Sequence, residues 1–258
     1  MNISTAIAAR RASRRVGNAS ARQIGRFLGA VVVTTWVALL GAPAPSASAQ
    51  PCPDVEVVFA RGSTEPPGVG MVGQAFIDAL RPQLGSRSLG VYPVNYAAAL
   101  LAGSDFADRL AFAKTFVDGL RDEGAHVESM AANCPNTRQV LGGYSQGAAL
   151  TGFVTSPVIP KEVPAQYASY VPEPMPPQVA SHVAAVVLFG KPSDLWMREN
   201  GAPPVTIGSP YAPKTIELCA PDDNICNGAP EVQPSIAHVM YAVNGMTEQG
   251  ADFAASHL

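Results

Sequence analysis

The chain has 258 residues, of which 47% are hydrophobic and only 14% are charged. Six of its 17 basic residues lie within residues 1–49, which contain no acidic residue. The rest of the chain therefore has 11 basic residues against 20 acidic ones, and this balance argues against nucleic acid or an anionic lipid surface as a partner.

The first element predicted along the chain is an export signal. Six arginines precede an apolar run at 27–40, and an Ala-Ser-Ala sequence follows at 47–49. This order is typical of a cleaved secretory signal, and the run is shorter than the roughly 20 residues of a membrane span. We expect a secreted protein with a signal peptide at 1–49 and one catalytic domain at 50–258. An uncleaved N-terminal anchor and twin-arginine export, suggested by Arg14-Arg15, are the alternatives.

The mature part alternates short apolar runs with longer helical patterns. Strands are predicted at 55–60, 91–96, 139–142, 183–189 and 215–218. Helices are predicted at 69–84, at 104–131, directly after residue 145, and at 245–257, and Gly124 is expected to break or bend the second one. This alternation predicts an α/β fold of the α/β-hydrolase type, with a central, mainly parallel sheet flanked by helices on both faces.

One stretch departs from the alternation. Residues 157–177 contain seven prolines, which exclude a regular helix or a central strand. The segment is either a surface connection or a flap beside the active site, since it follows the helix that begins after residue 145.

The strongest chemical signal is Gly143-x-Ser145-x-Gly147, which follows a predicted strand and precedes a predicted helix. This context is typical of a nucleophile elbow, in which the serine lies on a sharp strand-to-helix turn. Residues two before and two after the serine approach each other closely, and glycine is needed at both. Ser145 is therefore the candidate nucleophile.

A serine nucleophile needs a base and an orienting acid, which follow it along the chain in this fold. His238 lies between the last strand and the last helix, where the base is expected. His182 precedes a strand, and His257 is the second-last residue, so both are weaker candidates. Asp222 and Asp223 are the candidate acids, and the residue pattern alone does not separate them.

These blocks together resemble the cutinase family, and in particular its bacterial cutinase-like branch. The blocks are Phe-Ala-Arg-Gly-Ser-Thr-Glu at 59–65, Gly-Gly-Tyr-Ser-Gln-Gly-Ala-Ala at 142–149, the eight-residue loop from Cys219 to Cys226, and His238. The resemblance covers nearly all of the mature chain. It selects Asp223 as the acid, because the family's acid lies four residues after the first cysteine of that loop.

The resemblance also implies the remaining site residues. It implies disulfides that join Cys52 to Cys134 and Cys219 to Cys226. It implies an oxyanion hole formed by Ser63, through its backbone N–H and hydroxyl, and by the backbone N–H of Gln146.

The expected function is hydrolysis of carboxylic esters, either cutin-like polyester or short- to medium-chain acyl esters, by a Ser-His-Asp triad through an acyl-enzyme. This mechanism needs neither a metal nor an organic cofactor, and none is expected. The spacing of the cysteines and histidines also argues against a zinc site. We expect a monomer with an ester or lipid substrate. The alternatives are a lipase or phospholipase A that acts on aggregated lipid, and a secreted surface protein that keeps an idle hydrolase fold.

Overall fold

The computed structural model describes residues 51–100, 106–228 and 234–258, so the predicted signal at 1–49 lies outside the described residues. Within the described ranges, five strands form one sheet in the order β2-β1-β3-β4-β5, and every neighbouring pair is parallel. The strands are β1 (Val55–Ala60), β2 (Leu89–Pro93), β3 (Arg138–Tyr144), β4 (Val183–Phe189) and β5 (Thr215–Leu218). The predicted parallel α/β architecture is confirmed.

Seven α-helices are found in the same described ranges. They are α1 (Gly70–Leu80), α2 (Phe106–Asn133), α3 (Gln146–Val154), α4 (Ala165–Ala168), α5 (Asp194–Glu199), α6 (Ile236–Val239) and α7 (Met246–Ser256). None of the helices in these ranges combines the length and the hydropathy needed to cross a membrane.

Gly124 was predicted to break or bend the long helix, and the structure shows that it does not break it. Helix α2 runs through this position for 28 residues. The buried side chains of Leu120 and Val127 pack this part of the helix on the sheet. Because a glycine inside a helix costs only about 1 kcal/mol relative to alanine, this packing offsets its effect.

Side chains of β1 alternate between two hydrophobic cores, because successive residues of a strand point to opposite faces. Val57 and Phe59 pack with α1 and α7, whereas Val58 and Ala60 pack with α2 and α3. Both faces of the sheet are therefore covered by helices, and the edge formed by the carboxyl ends of the strands is left for loops.

The proline-rich segment at 157–177 lies between the end of α3 and the start of β4. Helix α3 starts at the carboxyl edge of the sheet and leads the chain away from it, and β4 begins at the amino edge. Within the segment, the carbonyl of Tyr170 accepts a hydrogen bond from Arg121 in the middle of α2. This position favours the surface connection over the flap.

Candidate active site

Ser145 lies between β3 and α3, at the carboxyl edge of the sheet. Its backbone has φ 54° and ψ −115°, a conformation that residues other than glycine rarely adopt. The Ser145 N–H donates a hydrogen bond of 2.9 Å to the carbonyl of Phe189, at the end of β4. The neighbouring strand therefore holds the strained turn, and the serine stays partly exposed.

The two glycines of the motif are required by close backbone contacts. A Cβ on Gly143 would lie 2.3 Å from the carbonyl oxygen of Gly147, so the residues on either side of the serine are in contact. A Cβ on Gly147 would lie 2.0 Å from the carbonyl oxygen of Ala60. The first turn of α3 therefore packs directly on the end of β1.

His238 contacts the serine from the short helix α6. Its Nε2 lies 2.8 Å from Ser145 Oγ, and the side chain is buried. The hydroxyl of Tyr144 donates to the carbonyl of His238 at 2.6 Å, which ties the helix to the strand that carries the serine. The other two candidate histidines are elsewhere: His182 contacts Pro135 and His257 contacts Phe253.

Asp223 completes a continuous chain of polar contacts. Both of its carboxylate oxygens lie 2.9 Å from Nδ1 of His238, and its side chain is fully buried. Oδ1 also accepts from the N–H of Ile225 at 2.9 Å, and Oδ2 accepts from the hydroxyl of Tyr241 at 2.7 Å. Burial acts against ionisation, but the hydrogen bonds from His238, Tyr241 and Ile225 outweigh it and lower the pKa of Asp223 below its ordinary value.

The other candidate acid, Asp222, points away from this arrangement. It is exposed and has a φ of 66°, so it forms part of the turn that presents Asp223. The disulfide Cys219–Cys226 closes this loop, and a second disulfide joins Cys52 to Cys134. Both pairs are those that the sequence resemblance implies.

The loop after β1 carries Ser63, and the first residue of α3 is Gln146. The loop is fixed by the carboxylate of Glu65, which accepts from the N–H groups of Gly62 at 2.7 Å and Met71 at 2.8 Å. The buried guanidinium of Arg61 braces the same loop through the carbonyls of Glu65 and Tyr96. Ser63 and Gln146 thus follow two adjacent strands at the same edge of the sheet.

The strand order explains why the site forms at this point. Strand β2 pairs with one edge of β1, and the chain then returns so that β3 pairs with the other edge of β1. In open α/β sheets, such a reversal opens a crevice at the carboxyl ends of the strands, where ligands bind. Among the described residues, no three His, Cys, Asp or Glu side chains gather as metal ligands would.

A family model described as Cutinase matches residues 51–258. The carboxylesterase Culp1 of Mycobacterium tuberculosis is 47% identical over 244 residues, which cover 92% of this chain and 97% of Culp1. The chain belongs to the cutinase family. This assignment makes it a carboxylic ester hydrolase of the α/β-hydrolase fold.

Two other similarities bear on this cutinase-family enzyme. Phospholipase Culp4 of M. tuberculosis is 41% identical over 239 residues, which cover 93% of each chain. A solved structure of Trichoderma reesei cutinase in complex with a phosphonate inhibitor is 32% identical and has a TM-score of 0.55. That match covers 80% of this chain and 77% of the T. reesei chain.

Sequence reasoning missed two residues of the candidate site. Gly190, directly after β4, has a φ of 56°, and a Cβ there would lie 2.9 Å from the ring of Tyr241 and 3.2 Å from both Asp223 and His238. Tyr241 itself contacts the carboxylate. The available signals were a glycine at the end of a predicted strand and a tyrosine three residues after the candidate base.

The packing of Gly147 leads to a stability prediction. Gly147→Ala should lower the free energy of unfolding by about 1–3 kcal/mol, because its Cβ must push α3 away from the backbone of β1. Gly124→Ala in α2 is the matched control, since a Cβ there meets nothing within 4 Å, and it should raise stability by roughly 0.5–1 kcal/mol. Urea unfolding midpoints measure both changes. Equal midpoints for Gly147→Ala and the parent would contradict the close contact.

Proposed function

We propose that this enzyme is a serine esterase that hydrolyses carboxylic esters through an acyl-enzyme, with Ser145, His238 and Asp223 as its catalytic triad. The observation that carries the proposal is the unbroken series of contacts from Ser145 Oγ to His238 at 2.8 Å and from His238 to Asp223 at 2.9 Å. Distances of this kind allow a base to take the proton of the nucleophile while an acid orients the base.

The reaction proceeds in two halves. In the first, His238 accepts the proton of Ser145 as the oxygen attacks the ester carbonyl, and then gives that proton to the leaving alcohol. The serine is left as an acyl ester. In the second half, His238 takes a proton from water, the hydroxide attacks the acyl ester, and the proton returns to Ser145. Asp223 keeps the imidazole in the required tautomer and stabilises the imidazolium in both halves.

Negative charge develops on the carbonyl oxygen during the attack. The backbone N–H groups of Ser63 and Gln146, together with the hydroxyl of Ser63, stabilise this charge. Support comes from the bracing of the Ser63 loop by Arg61 and Glu65, since donors that are fixed before reaction need no reorganisation. One such donor contributes about 3–4 kcal/mol of transition-state stabilisation in other hydrolases.

The proposal includes export of the enzyme and removal of residues 1–49. Two disulfides in the described part of the chain support it, because disulfides persist in oxidising compartments. The mature enzyme acts as a monomer, and its mechanism draws only on its own side chains, its backbone and water.

A phospholipase activity is the second candidate, and one surface feature favours it. Four large apolar side chains beside His238 are exposed: Ile236, Val239, Met240 and Val243. Exposed apolar side chains that flank the proposed base along the chain are suited to acyl chains or to the surface of aggregated lipid. Culp4, which is named a phospholipase, is similar along most of its length.

The experiment that tests both candidates compares p-nitrophenyl esters from acetate to palmitate with phosphatidylcholine vesicles. For the proposed esterase, we expect the highest kcat/KM on soluble short- or medium-chain esters, with a smooth dependence on concentration. A rate increase above the critical micelle concentration, together with fatty acid release from phosphatidylcholine, would favour the phospholipase. No turnover of any ester would contradict both.

Covalent labelling tests the assigned nucleophile against an idle binding protein. A fluorescent alkyl phosphonate should form a single adduct, located on Ser145 by mass spectrometry of the digested protein, because only an activated serine displaces its leaving group. The same probe on heat-denatured protein is the control and should give no adduct. An unlabelled native protein would favour the idle surface role.

A further inference from the structure

Tyr241 is a buried tyrosine that the proposed triad does not include. It lies two residues after the end of α6 and is 0% exposed. Its ring packs among those of Tyr144, Phe189 and His238, at centroid distances of 5.8, 6.3 and 6.3 Å. This packing fixes the orientation of the phenol ring next to His238.

That hydroxyl contacts three parts of the disulfide loop. It donates to Asp223 Oδ2 at 2.7 Å and accepts from the N–H of Ala220 at 2.9 Å. It also lies 3.5 Å from Sγ of Cys226. A single phenol thus holds the first turn of the loop and the carboxylate that the loop presents to His238.

We propose that Tyr241 is a positioning residue of the esterase, whose hydroxyl fixes the Asp223 carboxylate against His238 and stabilises its negative charge. This inference rests on the proposed triad. It assigns Tyr241 no contact with the substrate, because its phenol acts through the carboxylate alone.

The geometry gives the carboxylate two anchors. Ile225 holds Oδ1 and Tyr241 holds Oδ2, and both oxygens lie 2.9 Å from Nδ1 of the imidazole. Without the phenol, Oδ2 keeps only its contact with the imidazole, and the carboxylate can rotate about the anchor at Ile225. A charge-assisted hydrogen bond of this kind is among the stronger ones in proteins.

The charges around Asp223 fix the sign of the pH effect. The groups that face it are the imidazole of His238 and the phenols of Tyr241 and Tyr144, whereas Asp222 points to solvent. Burial raises the pKa of Tyr241, so its hydroxyl stays a proton donor throughout the working range. Its hydrogen bond lowers the pKa of Asp223, so its loss makes the carboxylate more basic. A more basic carboxylate stabilises the imidazolium more strongly, and the acid limb of the pH profile should therefore move to higher pH.

The test is Tyr241→Phe, measured as kcat and KM on p-nitrophenyl butyrate across the acid pH range. We expect kcat to fall about tenfold with KM nearly unchanged, and the acid limb of kcat/KM to move up by roughly one pH unit. Tyr144→Phe is the matched control, since it removes a buried phenol that contacts the backbone of His238 instead of the carboxylate, and its acid limb should stay in place.

Replacement of Tyr241 by 3-fluorotyrosine gives a second test that preserves the packing and the hydroxyl. The fluorine makes the phenol a stronger donor, so the acid limb should move to lower pH. This variant tests the inference even if Tyr241→Phe does not fold. An unmoved limb in either folded variant, including a lower kcat at an unchanged limb, would overturn the inference. Ser145→Ala separates this failure from a failure of the triad, because it must be inactive if the triad is correct.

Discussion

Ser145→Ala should lose about four to six orders of magnitude in kcat/KM on p-nitrophenyl butyrate while it remains folded. The loss is expected because no other hydroxyl is placed 2.8 Å from Nε2 of His238 in the described residues. The remaining activity would come from water attack assisted by the oxyanion donors. Stopped-assay hydrolysis at high enzyme concentration measures the residual rate, and circular dichroism confirms the fold.

The matched control is Ser156→Ala, at the other end of α3. Its hydroxyl donates to the carbonyl of Val158 at 2.9 Å, so this variant also loses a serine hydrogen bond, but far from the imidazole. It should keep kcat/KM within about twofold of the parent. Similar losses in both variants would indicate damage to α3, and turnover by Ser145→Ala at the parent rate would remove Ser145 from the mechanism.

Combination with His238→Ala adds a second, independent check. Residues that act as one unit have effects that do not add, so the double variant should be about as inactive as either single one. Losses that multiplied in the double variant would mean that the two side chains act separately.

The strands were the most predictable part of the fold. Val183–Phe189 and Thr215–Leu218 have the predicted bounds. The first is a continuous apolar run that is buried along its whole length, as expected for a central strand of a parallel sheet. The elbow was predictable because its turn requires glycine on both sides of the serine. The structure shows the same steric requirement, since Gly143 and Gly147 each lie in close contact with neighbouring backbone. Local sequence is enough where backbone contacts are this short.

Other features depend on contacts between distant segments, which local patterns do not contain. The continuation of α2 through Gly124 depends on the packing of Leu120 and Val127 against the sheet. The second strand ends at Pro93 and not at residue 96, because Arg61 draws the carbonyls of Val94 and Tyr96 toward the loop after β1. The role proposed for Tyr241 could be inferred only from the position of its hydroxyl. The spacing between Tyr241 and His238 along the chain does not predict that position.

The choice between Asp222 and Asp223 shows the same limit within the site. Two adjacent carboxylates in one short loop have equal claims from spacing alone, and the family resemblance selected the second. The coordinates supply the physical difference: Asp222 adopts the positive φ of the turn and faces solvent, which leaves Asp223 buried and directed at the imidazole.

Asp223→Asn should lower kcat by about four orders of magnitude, whereas Asp222→Asn should stay within about twofold of the parent. Asparagine keeps the size of the side chain but replaces an oxygen that now lies 2.9 Å from Nδ1 of His238 by an N–H donor. Two facing donors favour the tautomer that carries its proton on Nε2, which cannot accept the proton of Ser145, and the charge that stabilised the imidazolium is lost.

The adjacent substitution is a close control, because it makes the same chemical change one residue earlier in the same disulfide loop. Asparagine tolerates a positive φ, and the backbone carbonyl of residue 222 can still accept from the hydroxyl of Ser235 at 2.8 Å. Values of kcat near neutral pH for both variants, with labelling by the phosphonate, decide the assignment. A large loss in Asp222→Asn with little loss in Asp223→Asn would contradict the assignment of Asp223 as the acid, because the residue that fixes the imidazole tautomer must be the one whose loss lowers kcat.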